Sequence, residues 1–192
     1  EDNYFQSSVI DFDKDRSDRS TYKLLGGSIG FYGSTLNTRQ YATKGYLEKL
    51  IAQVFTGRER FEPGNPQEGY SPSPQERQSW LQISYMKEAY HTMGPKFTLG
   101  WMAEALYSSK NFSENYTATM MQAGEFAPTP HSKLMYNEAF RANQYVAAGI
   151  KPIYVLNDMF QFRTEFYGFT PIFPIKKNAL NKAYYGKAFS RF

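Results

Sequence analysis

From Tyr22 onward the chain is dominated by long segments in which apolar and polar side chains alternate with period two, a pattern that points to extended strands with two unlike faces. In Lys96–Ser108, KFTLGWMAEALYS, residues Phe97, Leu99, Trp101, Ala103, Ala105 and Tyr107 fall on one side and Thr98, Gly100 and Glu104 on the other. Trp80–Thr92 sets Leu81, Ile83 and Tyr85 against Gln82 and Ser84, and Gln144–Leu156 sets Val146, Ala148, Ile150, Tyr154 and Leu156 against Gly149 and Lys151. Within Met159–Ile172, Phe160, Phe162 and Phe166 oppose Gln161, Arg163 and Glu165. Tyr46–Thr56 reads as a strand with Tyr46, Leu50, Ala52 and Val54 on one face and Lys49 and Gln53 on the other, although its EKLIAQVF core also suits a helix.

Segments of about a dozen residues are twice the length of an ordinary strand and match what a strand inclined across a bilayer needs. Composition is compatible with that. Of 192 residues, 41% are hydrophobic and 18% aromatic, yet the mean hydropathy is only −0.60, because strands that are apolar on one face alone hide their hydrophobicity from averages. No apolar run approaches the ~18 residues of a membrane helix, and the N-terminus has no signal-peptide pattern. Cysteine is absent, which removes disulfides, thiolate metal sites and a cysteine nucleophile. The net charge of +4 is spread along the chain without a basic cluster, so no nucleic-acid partner is expected.

The pattern therefore predicts an all-β fold: an antiparallel transmembrane β-barrel, or part of one. Leu81, Ile83, Phe97, Leu99, Trp101, Val146, Ile150, Phe160, Phe162 and Phe166 are the expected lipid-facing residues. Lys49, Gln53, Glu104, Lys151, Arg163 and Glu165 are the expected polar lining of a lumen. Tyr46, Phe55, Trp80, Tyr90, Trp101, Tyr107, Tyr154 and Phe169 lie toward strand ends, where aromatic girdles form. Connections alternate between tight turns, His91–Lys96 and Asn157–Asp158, and long polar ones, Gly57–Ser79 and Ser109–Asn143, the asymmetry of an outer-membrane barrel with extended external loops. A soluble antiparallel β-sandwich acting as a binding module is the alternative, since its strands alternate too.

Asn37–Gly45, NTRQYATKG, resembles the N-x-x-x-x-[FY]-P-T-x-G turn of the bacterial surface-antigen barrel superfamily, with Ala42 in place of the proline. Pro128–Tyr154, PTPHSKLMYNEAFRANQYVAAGIKPIY, is similar to a segment in the C-terminal barrels of Bacteroidetes-type patatin-like phospholipases, and Arg141 stands where the superfamily has the arginine of its V-R-G-[FY] motif on a long inward-folding loop; Ala142 and Asn143 replace the glycine and aromatic. The resemblance implies a sixteen-stranded barrel in the bacterial outer membrane. This chain offers only about seven strands, fewer than the eight of the smallest closed membrane barrel, so the remainder of its own chain or a second copy is needed to close it. Residues 1–20 are expected to be a linker or exposed connection and 21–192 the partial barrel domain. On this reading the chain anchors a lipid acyl hydrolase, has membrane lipid as its partner and binds no cofactor or metal; a protein transporter or assembly factor of the same superfamily is the other possibility.

Gly26–Gly30, GGSIG, matches the G-x-S-x-G elbow of hydrolases. An elbow requires a helix after the serine, whereas FYGSTLNTRQ follows here, and no aspartate stands in the D-G-[GA] context of patatin-like enzymes. Alternation instead places Ser28 with Gly26, Gly30 and Ser34 on a face of small residues opposite Leu25, Ile29 and Phe31. His91 and His131 have no metal-binding spacing. The sequons at Asn111 and Asn115 carry no weight in a bacterial setting.

Overall fold

The structure, a computed structural model, describes residues 1–5, 16–64, 76–157 and 160–189. The chain is an antiparallel β protein. Its strands are β1 (Asp2–Tyr4), β2 (Asp18–Ser34), β3 (Gly45–Glu62), β4 (Glu76–Thr92), β5 (Phe97–Ser108), β6 (Gly124–Glu125), β7 (Arg141–Ala142), β8 (Gln144–Val155), β9 (Gln161–Arg163), β10 (Phe166–Pro171), β11 (Ile175–Lys177) and β12 (Ala183–Tyr185), with one helix, α1 (Tyr116–Gln122). The main sheet runs β1-β2-β3-β4-β5-β8-β10, with β9 also on β8. Each long strand pairs with its predecessor as a hairpin or meander. Among the described residues the sheet does not close into a barrel: β2 beyond Ser20 and β10 hold its two edges.

Tyr46–Thr56 is strand rather than helix, paired with β4 across its whole length and with β2 from Leu47 on. The connection expected over Gly57–Ser79 is shorter than the sequence suggested, because β3 continues to Glu62 and β4 begins at Glu76; residues 65–75 lie outside the described part, as do Asp158 and Met159. Charged residues there, Arg58, Glu59 and Arg77, hid the strand signal while remaining compatible with the ladder.

Met159–Ile172 is not one strand but two, β9 and β10, although both hold the same register on β8. Pro152 explains the interruption. Thr164 N–H donates to the Pro152 carbonyl at 3.1 Å, but proline has no N–H to return, so the ladder is singly bonded at that rung.

The first twenty residues are not simply a linker. Residues 2–4 and 18–20 pair as strands. Tyr4 is buried with Phe61 and Ala118; its hydroxyl lies 3.0 Å from Ser20 Oγ and accepts from Asn115 Nδ2 at 2.9 Å. Asn115 is fully buried and caps α1 through Oδ1, which accepts from Ala118 N–H at 2.8 Å.

Residues 109–143 fold back across one face of the sheet. They supply α1, the β6–β7 pair and Phe126, which enters a core with Met102, Leu106, Ala142, Tyr145 and Ala147. Arg141 ties this segment together: its guanidinium donates to the carbonyls of Met121 at 2.9 Å and Ala123 at 3.3 Å, and pairs with Glu125 at 2.6 Å. It thereby closes the C-terminal end of α1, where free carbonyls collect.

The turn from β2 to β3 is built by three residues. Asn37 Oδ1 accepts from Thr43 N–H at 3.0 Å and Lys44 N–H at 3.1 Å, and its Nδ2 donates to Thr43 Oγ1 at 3.0 Å. Gly45 has φ +91°, and a Cβ there would lie 2.1 Å from the Thr35 carbonyl oxygen, so glycine is required. Asn37→Ala removes all three hydrogen bonds and is expected to lower stability by about 1–3 kcal/mol, read as a lower urea midpoint, with Thr38→Ala as a smaller-effect comparison.

Candidate functional site

Direct register partners share a face, so the pairing defines two surfaces. The outer one carries Leu25, Ile29 and Phe31 on β2, Leu50, Ala52 and Val54 on β3, and Leu81, Ile83 and Tyr85 on β4. It continues through Phe97, Leu99, Trp101 and Tyr107 on β5 to Val146, Ile150 and Tyr154 on β8, then Phe162 and Phe166. Ile29 is 78% exposed, Phe162 66% and Phe160 61%. The described core clusters are formed by residues of the opposite face and by the segments folded over it. All ten residues expected to face lipid are on or beside this outer surface.

The apolar band crosses the hydrogen-bonded rungs obliquely. On β2, β3 and β4 it occupies the rungs of Leu25 to Phe31 and is broken by the Glu48–Lys87 pair at 3.5 Å, beyond which Tyr46 and Ala89 continue it for one rung. On β5, β8 and β9 it runs past that level to Phe97, Tyr154 and Phe162, Tyr154 being the register partner of the other two.

Four aromatics expected in girdles lie on the other side. Phe55 and Trp80 stack at 5.0 Å, Tyr90 is buried beside Ala42 and Ile153, and Phe169 joins the Phe126 cluster. Strand-end position suggested an interface, but parity decides the face. Tyr46, Trp101, Tyr107 and Tyr154 do lie on the outer surface.

The inner face holds a cavity of about 1140 Å³ between the sheet, the 36–42 turn and residues 125–134, lined among others by Lys49, Glu104, Lys151, Arg163 and Glu165. Gln53 shares that face, opposite Ser28 and Gln82, but does not line the cavity. Lys151 pairs with Glu88 at 2.8 Å. Glu88 also accepts from the Tyr90 hydroxyl, which in turn accepts from Arg163 Nη2 at 2.9 Å. Arg163 pairs with Glu165 at 2.5 Å and donates to the Ala42 carbonyl at 2.9 Å, while the Tyr167 hydroxyl donates to Glu165 at 2.6 Å. Glu104 accepts from the Tyr145 hydroxyl at 2.5 Å. Glu88 and Tyr167 were not singled out in the sequence and Tyr90 was expected in a girdle; the parity of Gln82 and Ser84 extends to Glu88 and Tyr90, and that of Arg163 and Glu165 to Tyr167.

At the opposite end of the inner face, Lys110 is 9% exposed. Its ammonium donates to Gln122 Oε1 and sits 4.9 Å from the Trp80 ring centre and 5.6 Å from that of Tyr22. Burial lowers its pKa from 10.5 to about 8, against the attraction of Glu59 and Asp2. The folded chain thus releases this proton near pH 8 and the unfolded chain near 10.5, so between those values unfolding takes up a proton and stability rises with pH. Lys110→Met is expected to be more favourable relative to the parent at pH 7 than at pH 10 by about 2 kcal/mol, measured by urea unfolding at both.

Ser28 lies within the uninterrupted β2 with Gln53 as its rung partner, so the G-x-S-x-G match forms no elbow. His91 Nε2 accepts from Trp101 Nε1 at 3.3 Å on the outer side, and His131 lines the inner cavity. Among the described residues no three His, Cys, Asp or Glu side chains are grouped to hold a metal, and no helix is long and apolar enough to cross a membrane. Comparison with known proteins finds no family model, curated protein or solved structure that matches this chain.

Proposed function

We propose that this sheet is a lipid-facing wall of a bacterial outer-membrane β-barrel, completed by further strands, and that it anchors a patatin-like lipid acyl hydrolase. The oblique apolar band carries the membrane part of this reading. Strands of membrane barrels incline by about 35–45° to the bilayer normal, so a slab of hydrocarbon meets successive strands at shifted rungs. A band parallel to the rungs would suit a layer packed flat on the sheet instead. The charged, covered opposite face supports the same reading, since a barrel interior is polar or filled by a loop. The two free edges require partners in lipid, where unpaired backbone groups cost several kcal/mol each.

The hydrolase part rests on the likeness of residues 37–45 and 128–154 to the barrels of those enzymes. In the first of these the structural roles of Asn37, Thr43 and Gly45 give a physical reason for the motif.

Because the chain has no cysteine, single cysteines label cleanly. Fluorophores at positions 81 to 85 of β4, in vesicles of brominated phosphatidylcholine, are expected to be quenched at Leu81, Ile83 and Tyr85 and spared at Gln82 and Ser84. Uniform quenching, or a chain that stays soluble and monomeric without detergent, overturns the membrane reading. Acyl-ester hydrolysis by the reading frame that includes this chain tests the anchor role separately.

A further inference from the structure

β1 is three residues long, yet its register fixes where the chain before it runs. Asp2 pairs with Ser20, Asn3 with Arg19 and Tyr4 with Asp18, so each step back along β1 is one step forward along β2. The pairing is anchored on both faces: Tyr4 is buried with Phe61 and Ala118, and Glu1 meets Arg19 at 2.7 Å. Extended without a break, this register sets Glu1 opposite Thr21 and the residues before Glu1 opposite the rest of β2, up to Ser34.

That length of β2 has an open edge. Thr35 N–H donates to the Tyr46 carbonyl at 2.8 Å, in the register that joins β2 to β3. Ladder bonds alternate along an antiparallel strand, so the odd-numbered residues of β2 turn their N–H and C=O groups to β3 and the even-numbered ones turn theirs away from it. On that side Tyr4 and Asp2 face Asp18 and Ser20; from Tyr22 to Tyr32, among the described residues, nothing does. Such a row is a template for another strand. The other edge is poorer, since β10 has six residues and ends in Pro171, which has no N–H.

The inner face calls for a particular side chain on the strand that fits this edge. Gly26, Gly100 and Gly149 each lie beneath the ring of a register partner, Phe55, Tyr90 and Tyr167 respectively, and an added Cβ would come within 2.4–2.6 Å of a ring carbon. Gly30 shares their face, but its partner on β3 is Ile51, and its nearest neighbours are Leu50 and Ile51 rather than a ring.

We propose that the residues immediately before Glu1 in the reading frame form a strand continuous with β1, pair antiparallel with β2 as far as Ser34, and lay an aromatic side chain over Gly30. In this register the eighth residue before Glu1 stands opposite Ile29, the ninth opposite Gly30 and the thirteenth opposite Ser34. From there to Tyr4 the strand has 17 residues, the length of β2 and of β4. A sheet in water has the same open edge, so the strand is expected whatever covers the outer face.

The test uses the protein of the full reading frame, with Ile29→Cys and a second cysteine at the sixth, eighth or tenth residue before Glu1, one pair at a time; these 192 residues contribute no other cysteine. Side chains two residues out of register lie about 7–8 Å apart, beyond the reach of a disulfide. Oxidation is therefore expected to join Ile29→Cys to the eighth position alone, and within one chain. In the unsubstituted full-length protein the amides of Gly26, Ser28 and Gly30 are expected to exchange with solvent as slowly as those of Leu25, Ile29 and Phe31, which bond to β3. A disulfide to the sixth or tenth position, or none while those amides are protected, means a different register. A disulfide joining two chains means a second copy on this edge, and fast exchange at Gly26, Ser28 and Gly30 means an open one. Each of these overturns the proposal, and a non-aromatic residue at the ninth position overturns the contact with Gly30.

Discussion

Arginine at Ile83 or Ile150 is expected to lower the stability of the membrane-inserted protein by about 2–4 kcal/mol each, seen as a lower urea midpoint for unfolding from vesicles. Both residues lie on the outer face, Ile83 between Ala52 and Tyr107 and Ile150 between Trp101 and Phe166. A guanidinium placed there in hydrocarbon must be desolvated or reach for the headgroups. Tyr154→Arg, near the end of the band, is expected to change stability by only about 0–1 kcal/mol, because the penalty falls toward the interface. In water the same exposed positions would tolerate arginine within about 0.5 kcal/mol. A flat response along the face would therefore place it in water and defeat the proposed role.

The second large effect is on the inner face. Lys151→Met leaves the Glu88 carboxylate without the cation 2.8 Å away, and both side chains are largely buried, at 5% and 14% exposure. Removing one partner of a buried ion pair costs about 3–5 kcal/mol. Glu88 would retain the Tyr90 hydroxyl, so the loss is expected near the lower end of that range. Lys151→Met combined with Glu88→Gln is expected to recover part of it, since the double change leaves no unpaired charge. The coupling energy from urea unfolding of the four variants measures the pair directly. Additive single losses would mean that the two groups do not interact in the folded protein.

The long strands and their faces were legible because one physical constraint, unlike environments on the two sides of a sheet, writes itself into alternate residues. That is why Lys49, Gln53, Glu104, Lys151, Arg163 and Glu165 were placed together on the inner face, and why Phe97 through Tyr107 were placed on the outer one. Three features were not legible in this way. Tyr4 and residues 18–20 sit in a charged stretch whose burial depends on Asn115, more than ninety positions away. Residues 109–143 have no period because their fold is fixed by contacts with the sheet, Phe126 and Arg141 above all. Phe55, Trp80, Tyr90 and Phe169 were misread because position along a strand was allowed to outweigh parity.

Pro152 has a consequence for the shape of the sheet. At its rung one hydrogen bond does the work of two, while register is the same above and below. Such a rung acts as a crease: it yields to bending but not to sliding. Bending there falls on β9 alone, since the last residues of β8 stay paired with β5, and Arg163, bonded to the Ala42 carbonyl and the Tyr90 hydroxyl, holds β9 to the inner face.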